Sequence, residues 1–315
     1  MTALAMIDLA GFRLGAPQRA GVLTMVPVFG PAYPGVLSPR DGVKLARVDG
    51  YGTVILRNPG NDGVAIVPLH VGYVQDGAQN HALCRSAFLA AGQELRFEDA
   101  CCVQESVGGY LGERDQWFFT LPLELRATAL ALRGETNYTK LWPAIRTLNR
   151  SYRLPGRGHL ESILARKRHM LTQFRSRLEL VAGQLGALFF LGSRLVGAEI
   201  APSPAFFADV WPALVCFAYG PAAMRREPAA EETAEPYAVT TLDELVALRE
   251  AELRERAGEV RGWIDAANWA APAVTEEDRY LHMRLCTVDG ERVAGQVVLA
   301  DERPVYASLF AKEIV

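Results

Sequence analysis

Residues 64–71 (VAIVPLHV) are apolar apart from His70. That is the pattern of a strand covered on both faces, with Pro68 marking a bulge or an edge within it. The rest of the first 120 residues alternates short apolar runs with Gly, Pro, Asn and Asp. Strands are expected at 23–29 (an edge, because of Pro27), 43–48, 53–57, 87–89, 94–97 and 101–103. Asp49-Gly50 supplies a tight hairpin turn and residues 58–61 (NPGN) another turn. Residues 30–39 read as an extended loop rich in proline. Short strands at this spacing predict a sandwich or barrel, not a parallel α/β sheet.

Beyond residue 120 the period becomes helical. A helix is expected over 121–132, with Pro122 early and Gly134 beyond its end. Residues 137–150 are expected to form a second helix, kinked or broken at Pro143. Residues 159–182 predict one continuous helix whose stripe is Leu160, Leu164, Leu171, Phe174, Leu178 and Val181. A hairpin follows at 188–197 across Gly192-Ser193. Ser203 and Pro204 then open a helix that turns Phe206, Phe207, Val210, Trp211, Leu214 and Val215 to the core and is disturbed by Pro212. Residues 221–236 (PAAMRREPAAEETAEP) have the composition of a linker. Thr241 and Glu244 form a capping box for a charged helix reaching about residue 267, with Leu242, Leu245, Val246, Leu253, Val260 and Ile264 on one side. A three-stranded meander is expected over 281–310.

The expected class is therefore α+β: an antiparallel, β-sandwich-like N-terminal part, a helical middle with a hairpin, and a C-terminal helix plus three-stranded meander. The divisions fall at 1–120, 121–220, a linker at 221–238, and 239–315. One internal echo crosses them. GALFFLGSRLVGAEIA from Gly186 aligns without gaps with GQVVLADERPVYASLF from Gly295, matching Gly186 to Gly295, Arg194 to Arg303, Val196 to Val305 and Ala198 to Ala307. Duplication and convergence of two hairpins both account for it.

Composition narrows the class further. Half of the 315 residues are hydrophobic, so a sizeable core is expected. A net charge of -3 gives no overall pull on nucleic acid or acidic membranes. Five cysteines without a CxxC pair argue against a disulfide framework and a Cys-only zinc site, and for a reducing cytoplasm. The N-terminus lacks the pattern of a signal peptide, and no apolar run reaches the roughly 20 residues of a membrane span.

Candidate chemistry gathers at residues 64–85, where the apolar run ends in Gly72 and Gln75, Asp76, Gln79, Asn80, His81 and Arg85 follow. Amides that donate and accept, an imidazole and a guanidinium together suit a nucleotide, a ribose phosphate or a carboxylate. An antiparallel return brings Gln104 and Glu105 near Gln79. The ligand-binding candidates are thus Gln79, Asn80, His81, Arg85, Gln104 and Glu105; the bland alternative is that these groups tie down a tight corner. His70, among apolar residues, reads as a core histidine. No metal set is indicated, since His81 and Cys84 have no second pair. No motif identifies a cofactor or a catalytic nucleophile: Ser106 in ESVGG lacks the glycine framing of an elbow, and that stretch lacks a Walker lysine. A basic run from Arg150 to Arg177 faces an acidic excess between Glu227 and Glu259. The two can pair within the chain or between copies or partners. Without interleaved aromatics the basic run is a solvated face rather than a nucleic-acid platform. Trp142, Trp211, Trp263 and Trp269 read as core or interface aromatics.

The run GYVQDGAQNHALCRSAFLAAGQELRFEDACCVQES resembles the ARG and rhodanese-phosphatase-superfamily-associated protein domain family. That family carries a Gln-Asn/Asp-Arg-like triplet at a glycine corner and a Cys-Val-Glu segment followed by an aromatic. Here the triplet is Gln79, Asn80, His81, so its third residue departs. The second segment is Cys102, Val103, Gln104, with Glu105 one place late and Tyr110 as the aromatic. The similarity continues through Leu141-Trp142, Gln173-Phe174, the hairpin from Gly186 to Val196 and Trp211, over about residues 23–219. The family is named for gene neighbourhoods with ADP-ribosylglycohydrolases and rhodanese-like phosphatases. The resemblance therefore implies a setting in ADP-ribose or nucleotide metabolism and prokaryotic conflict systems, and no established reaction. The leading expectation is a cytoplasmic module that binds a small anionic ligand of ADP-ribose or nucleotide type at the Gln79/Asn80/Arg85 corner. The alternatives are an assembly protein using its basic and acidic helices, and a hydrolase with His81 or Glu105 as base.

Overall fold

The computed structural model describes residues 11–74, 79–105, 118–226, 239–264 and 273–313. The chain begins with β1 (Arg13–Leu14), β2 (Gln18–Ala20) and β3 (Leu23–Phe29). It then enters a long excursion: β4 (Val36–Leu37), α1 (Pro39–Gly42), β5 (Lys44–Val48), β6 (Val54–Arg57), β7 (Val64–Val67) and β8 (Val71–Tyr73). β9 (His81–Ala82), β10 (Ala87–Ala90), β11 (Glu94–Phe97), β12 (Cys101–Cys102) and β13 (Phe118–Thr120) follow. Four helices end the excursion: α2 (Leu123–Ala131), α3 (Trp142–Ser151), α4 (Glu161–Arg166) and α5 (Arg168–Arg177). The hairpin β14 (Gly186–Leu191) and β15 (Arg194–Ile200) leads into α6 (Pro204–Ala213), a π-helical turn (Leu214–Tyr219) and α7 (Gly220–Arg226). α8 (Leu242–Ile264) precedes β16 (Ala273–Tyr280), β17 (Met283–Asp289), β18 (Val293–Ala300) and β19 (Arg303–Ala311).

The fold is α+β, as expected, with antiparallel sheets and one parallel pair, β4 with β7. One nine-stranded sheet runs β1-β3-β14-β15-β19-β18-β17-β16, with β2 also on the free edge of β3. It takes strands from both sides of residues 120, 220 and 238. Three small sheets, β10-β7-β4, β11-β6-β5 and β12-β9-β8-β13, make up the strand part of the excursion.

Several expected elements are redrawn, each for a local reason. The strand at 64–71 is two strands in different sheets. Pro68 ends the first, and His70 adopts a left-handed backbone (φ 61°) before the second begins. Pro143 does not kink α3; it sits in its first turn, where a missing N–H costs nothing. The continuous helix at 159–182 is α4 and α5, separated at Lys167 (φ -102°, ψ 4°). Its stripe stays buried through Leu178, whereas Val181 lies beyond α5 and is exposed. The first residues of the expected linker belong to α7, with Pro221, Ala222 and Ala223 buried; residues 227–236 lie outside the described residues. The meander has four strands, because the charged segment VTEEDRY forms β16 as an exposed edge. Pro212 is accommodated by the π-helical turn that follows it, which restores helical bonding after the lost donor. Ser203 caps α6 through Phe206 N, and Thr241 and Glu244 form the expected capping box. Leu242 and Val246 on α8 are exposed. The stretch Pro204–Arg226 is long and apolar enough to cross a membrane, but 78% of its apolar window is buried inside the fold, as in a core helix.

The internal echo extends to four strands and has a geometry. β15 pairs with β19 so that Ala198 meets Leu309, Ile200 meets Ala307, and Glu199 meets Ser308. Under the alignment of Gly186 with Gly295, the first two pairs are images of each other and Glu199:Ser308 lies on a pseudo-twofold axis. The flanking strands obey the same axis. A register shift falls between Phe189 and Phe190 in one half and between Val298 and Leu299 in the other. β3 pairs with β14 as β17 pairs with β18. The turn before β3 contains Gly21 (φ 61°), and the turn before β17 contains Leu281 (φ 52°). β1 and β2 together match β16, whose irregularity between Glu276 and Asp278 stands where the first half breaks between its two short strands. The same antiparallel unit thus occurs twice, and the first copy is interrupted between β3 and β14 by the excursion.

One face of this sheet packs on α2, α5, α6, the π-helical turn and α7 through Met25, Phe189, Val196, Leu285, Val298 and Phe310. The other face forms a core from strand residues of both halves, including Val28, Phe190, Ile200, Val288, Leu299 and Leu309, with Leu185. Among the described residues, this second core contains no helix side chain.

Backbones approach closely at equivalent points. A Cβ on Gly186 would lie 2.4 Å from Glu199 O, and one on Gly295 2.1 Å from Ser308 O. Gly186→Ala and Gly295→Ala should each destabilise the protein by ~1–3 kcal/mol through forced backbone shifts, while Gly11→Ala, with nothing within 4 Å, leaves stability unchanged. Denaturant midpoints of the three variants check this.

Candidate functional site

The corner forms where β8, β9 and β12 meet. Tyr73 pairs with His81, and His81 with Cys102, so the return that carries Gln104 passes beside Gln79. Gln79 Nε2 donates to Gln104 O (3.0 Å), and Asn80 N donates to Gln104 Oε1 (2.7 Å). Gln104 Nε2 donates to Glu161 at the start of α4. His81 Nδ1 bonds Gln79 O (2.8 Å), and its Nε2 accepts from Gly52 N (3.2 Å). This fixes the neutral tautomer with the proton on Nδ1 and engages both nitrogens. Burial lowers its pKa, partly opposed by the Gln79 carbonyl. Glu105 accepts from Gly158 N (2.7 Å) and Arg146 (2.6 Å), which hold its carboxyl below the usual range. Gln79, Asn80, His81, Gln104 and Glu105 are therefore brought together, and they are bonded largely to one another and to the backbone. Gln75, Asp76, Ser106–Gly109, Tyr110 and Trp269 lie outside the described residues.

Arg85 lies elsewhere, in an open groove of about 340 Å³ lined by Arg85, Arg96, Glu98, Asp99, Gly134 and Thr136. Its walls extend from one end of the β9–β12 pair, where the chain leaves Ala82 toward Arg85 and enters Cys101 from Asp99. Arg85 stacks over Phe97 (4.9 Å) and reaches Asp99 (3.3 Å), which also accepts from Gly134 N. Arg96 reaches Asp49 (2.5 Å) and Glu98 (3.0 Å), and all three side chains are about half exposed or more. Asp49 belongs to the turn that presents Tyr51, 65% exposed and stacked on Tyr138 (5.0 Å). Lys140 donates to Asp99 O and Leu132 O (both 2.8 Å) beside the groove. A second open groove, about 410 Å³, holds Glu124 and Arg225 between α2, α3 and α7. Glu124 is mostly buried there, and burial raises its pKa.

A buried polar node on the pseudo-twofold axis carries no sequence motif. Arg126 of α2 is fully buried and lies over the Phe310 ring (4.8 Å). Its guanidinium donates to Glu199 Oε1 (2.7 Å), Ser308 Oγ (2.6 Å), His70 Nδ1 (3.2 Å) and Tyr219 (3.3 Å). Tyr219 in turn donates to Glu199 (2.7 Å), and burial pushes its phenol well above the ordinary range. Because Arg126 donates to Nδ1, the neutral His70 carries its proton on Nε2, which is buried without a partner. Burial, with the Arg126 charge, holds the His70 pKa well below 6.5. A cavity of about 20 Å³ touches Arg126, Glu199, Ser308 and Thr120, which is room for one water. Among the described residues no group of three metal-ligating side chains is present. His70 was the one legible member; the others are single polar residues in apolar elements.

The family whose pattern matches is the ARG and Rhodanese-Phosphatase-superfamily-associated Protein domain, over residues 11–310. The chain belongs to that family. The match reaches past residue 219 through the meander, so both halves of the large sheet are part of the family's domain. No curated protein and no solved structure matches the chain.

Arg126→Met should cost about 3–5 kcal/mol, because it strands the Glu199 carboxylate in the core. Adding Glu199→Gln should recover most of that loss in urea unfolding. The histidines set a pH dependence. His70 and His81 have folded pKa values below their unfolded ones, so the unfolded state binds more protons as pH falls below about 6.5. Stability should fall from pH 7.5 to 5.5, by up to about 1.4 kcal/mol per pH unit for each histidine below that point. His70→Asn, which tolerates the left-handed backbone and keeps an acceptor toward Arg126, should show a shallower decline.

Proposed function

We propose that the protein is a cytoplasmic binding module for a small anionic ligand of the ADP-ribose or nucleotide type, seated in the Arg85–Arg96 groove. The observation that carries this reading is the state of the two arginines. They line one open groove, and Arg96 is committed to exposed carboxylates, contacts that solvent screens. A phosphate offers a bidentate acceptor with more charge and displaces such partners at little cost. The larger groove has no arginine in the state of Arg96: Arg225 pairs with Glu124, a mostly buried carboxylate. Tyr51, exposed on the turn that pairs with Arg96, offers a face for a base. The family's association with ARG and rhodanese-phosphatase-superfamily proteins is compatible with a ligand of this class.

In this reading Arg85 contacts the anion, while Gln79, Asn80, His81, Gln104 and Glu105 hold the strand pair from which both walls extend. Binding rather than hydrolysis fits the corner, since His81 has no free nitrogen and Glu105 is a weakened base.

A thermal-shift series with ADP-ribose, AMP and pyrophosphate tests the proposal. A ligand at a hundredfold excess over its Kd stabilises the fold by about 2.7 kcal/mol and raises Tm. The shift should vanish in Arg85→Ala/Arg96→Ala and persist in Arg225→Ala. No shift with any of the three compounds, or a shift that survives the double variant, overturns the assignment.

A further inference from the structure

We propose that Cys84 and Cys101 are a modification site: a dithiol that peroxide converts to an intramolecular disulfide beneath the Arg85–Asp99 groove. The two sulfurs are 3.1 Å apart. Ala82 pairs directly with Cys101 across the β9–β12 ladder, and the chain brings Cys84 back against the same strand. Forming a disulfide closes the sulfur separation by only about 1 Å, to the roughly 2.05 Å of the bond. The remaining cysteines are arranged differently. Cys102 donates to Gln104 O (3.0 Å), Cys216 lies in the same core as the pair but on the π-helical turn, and Cys286 belongs to a different core.

The pair is also chemically unequal. The bond from Cys101, aided by the neighbouring Lys140 ammonium, holds the Cys84 thiol below its ordinary range. The same bond and burial push Cys101 up. Lys140 is held by backbone carbonyls, so its charge stays beside the pair. Attack by Cys84 and resolution by Cys101 is one order of events, and exchanging the two roles gives the same bond. Both are buried, which selects an oxidant close to water in size, and hydrogen peroxide meets that limit.

The Cys84 thiolate attacks one peroxide oxygen. An S–O bond forms, the O–O bond breaks, and hydroxide leaves, giving a sulfenic acid. The hydroxide takes the Cys101 proton and becomes water. Cys101 then attacks the Cys84 sulfur, the S–S bond forms, the S–O bond breaks, and the second hydroxide departs as water with the proton first lost by Cys84. Two thiols lose two electrons, and one peroxide becomes two waters. Because Arg85 follows Cys84 and Asp99 precedes Cys101 by two residues, the bond ties together the two walls of the groove. The modification itself does not depend on what the groove binds.

The test treats the full chain with hydrogen peroxide, removes the excess, and counts thiols in denaturant. The count should fall from five to three, with the chain still monomeric on non-reducing gels and its mass lower by two hydrogens. Peptide mapping should join the segment ending at Arg85 to the one beginning at Phe97. Cys102→Ser should keep this link, and Cys84→Ala and Cys101→Ala should each abolish it. Fragmentation of the wild-type linked peptide between Cys101 and Cys102 assigns the sulfur without a variant, so a poorly folding variant leaves the test intact. Retention of five thiols, or a link through Cys102, Cys216 or Cys286, overturns the proposal.

Discussion

The fold turns on one guanidinium. Arg126 belongs to the excursion that interrupts the first half of the large sheet, yet it ends on the seam between the halves. Charge at that depth is tolerable only when every partner is in place. The seam supplies them from both sides, Glu199 from one half and Ser308 from the other. The departure from symmetry is a necessity: two carboxylates facing each other on the axis would repel, and two hydroxyls would leave the cation uncompensated. Tyr219 completes the arrangement from the π-helical turn. Its ring stacks on Phe189 (3.9 Å between centroids), and it fits only because position 197 is glycine, where a Cβ would lie 2.0 Å from the phenol oxygen.

The polar groups of this protein therefore divide by depth. At the axis they are buried, mutually bonded and fixed in protonation state, which suits holding layers together. At the corner, amide and carboxylate bonds join β9, β12 and the start of α4. In the groove, Arg96 meets carboxylates that water already screens, and those contacts exchange readily, whereas Arg85 meets the buried Asp99. A ligand can compete for the third kind without unmaking the first two.

Much of the layout was legible in the sequence, because hairpin turns, caps and apolar periods are local. The 188–197 hairpin, the Ser203 cap, the Thr241 box and the approach of Gln104 to Gln79 all follow from nearby residues. The breaks were harder to read. Lys167 splits a helical pattern with no proline or glycine to mark it, and Pro68 separates two sheets in a run that looks like one strand. Arg126 was invisible for another reason. A lone arginine on a helix reads as solvated, and its partners come from 73 and 182 positions away. The echo at Gly186 and Gly295 marked the repeated unit, but only strand pairing located the axis.

The order of the two copies has a consequence for how the chain is made. The second unit is a continuous meander whose contacts are local, which favours rapid closure. The first unit cannot close until β14 follows the whole excursion, and β15 then presents a hydrogen-bonding edge that, among the described strands, β19 fills. Until the ribosome has released the last strands, that edge is exposed on an otherwise assembled sheet. A chain halted between α7 and β16 is thus an open template for another copy, and the last four strands act as the fold's own protection against self-association.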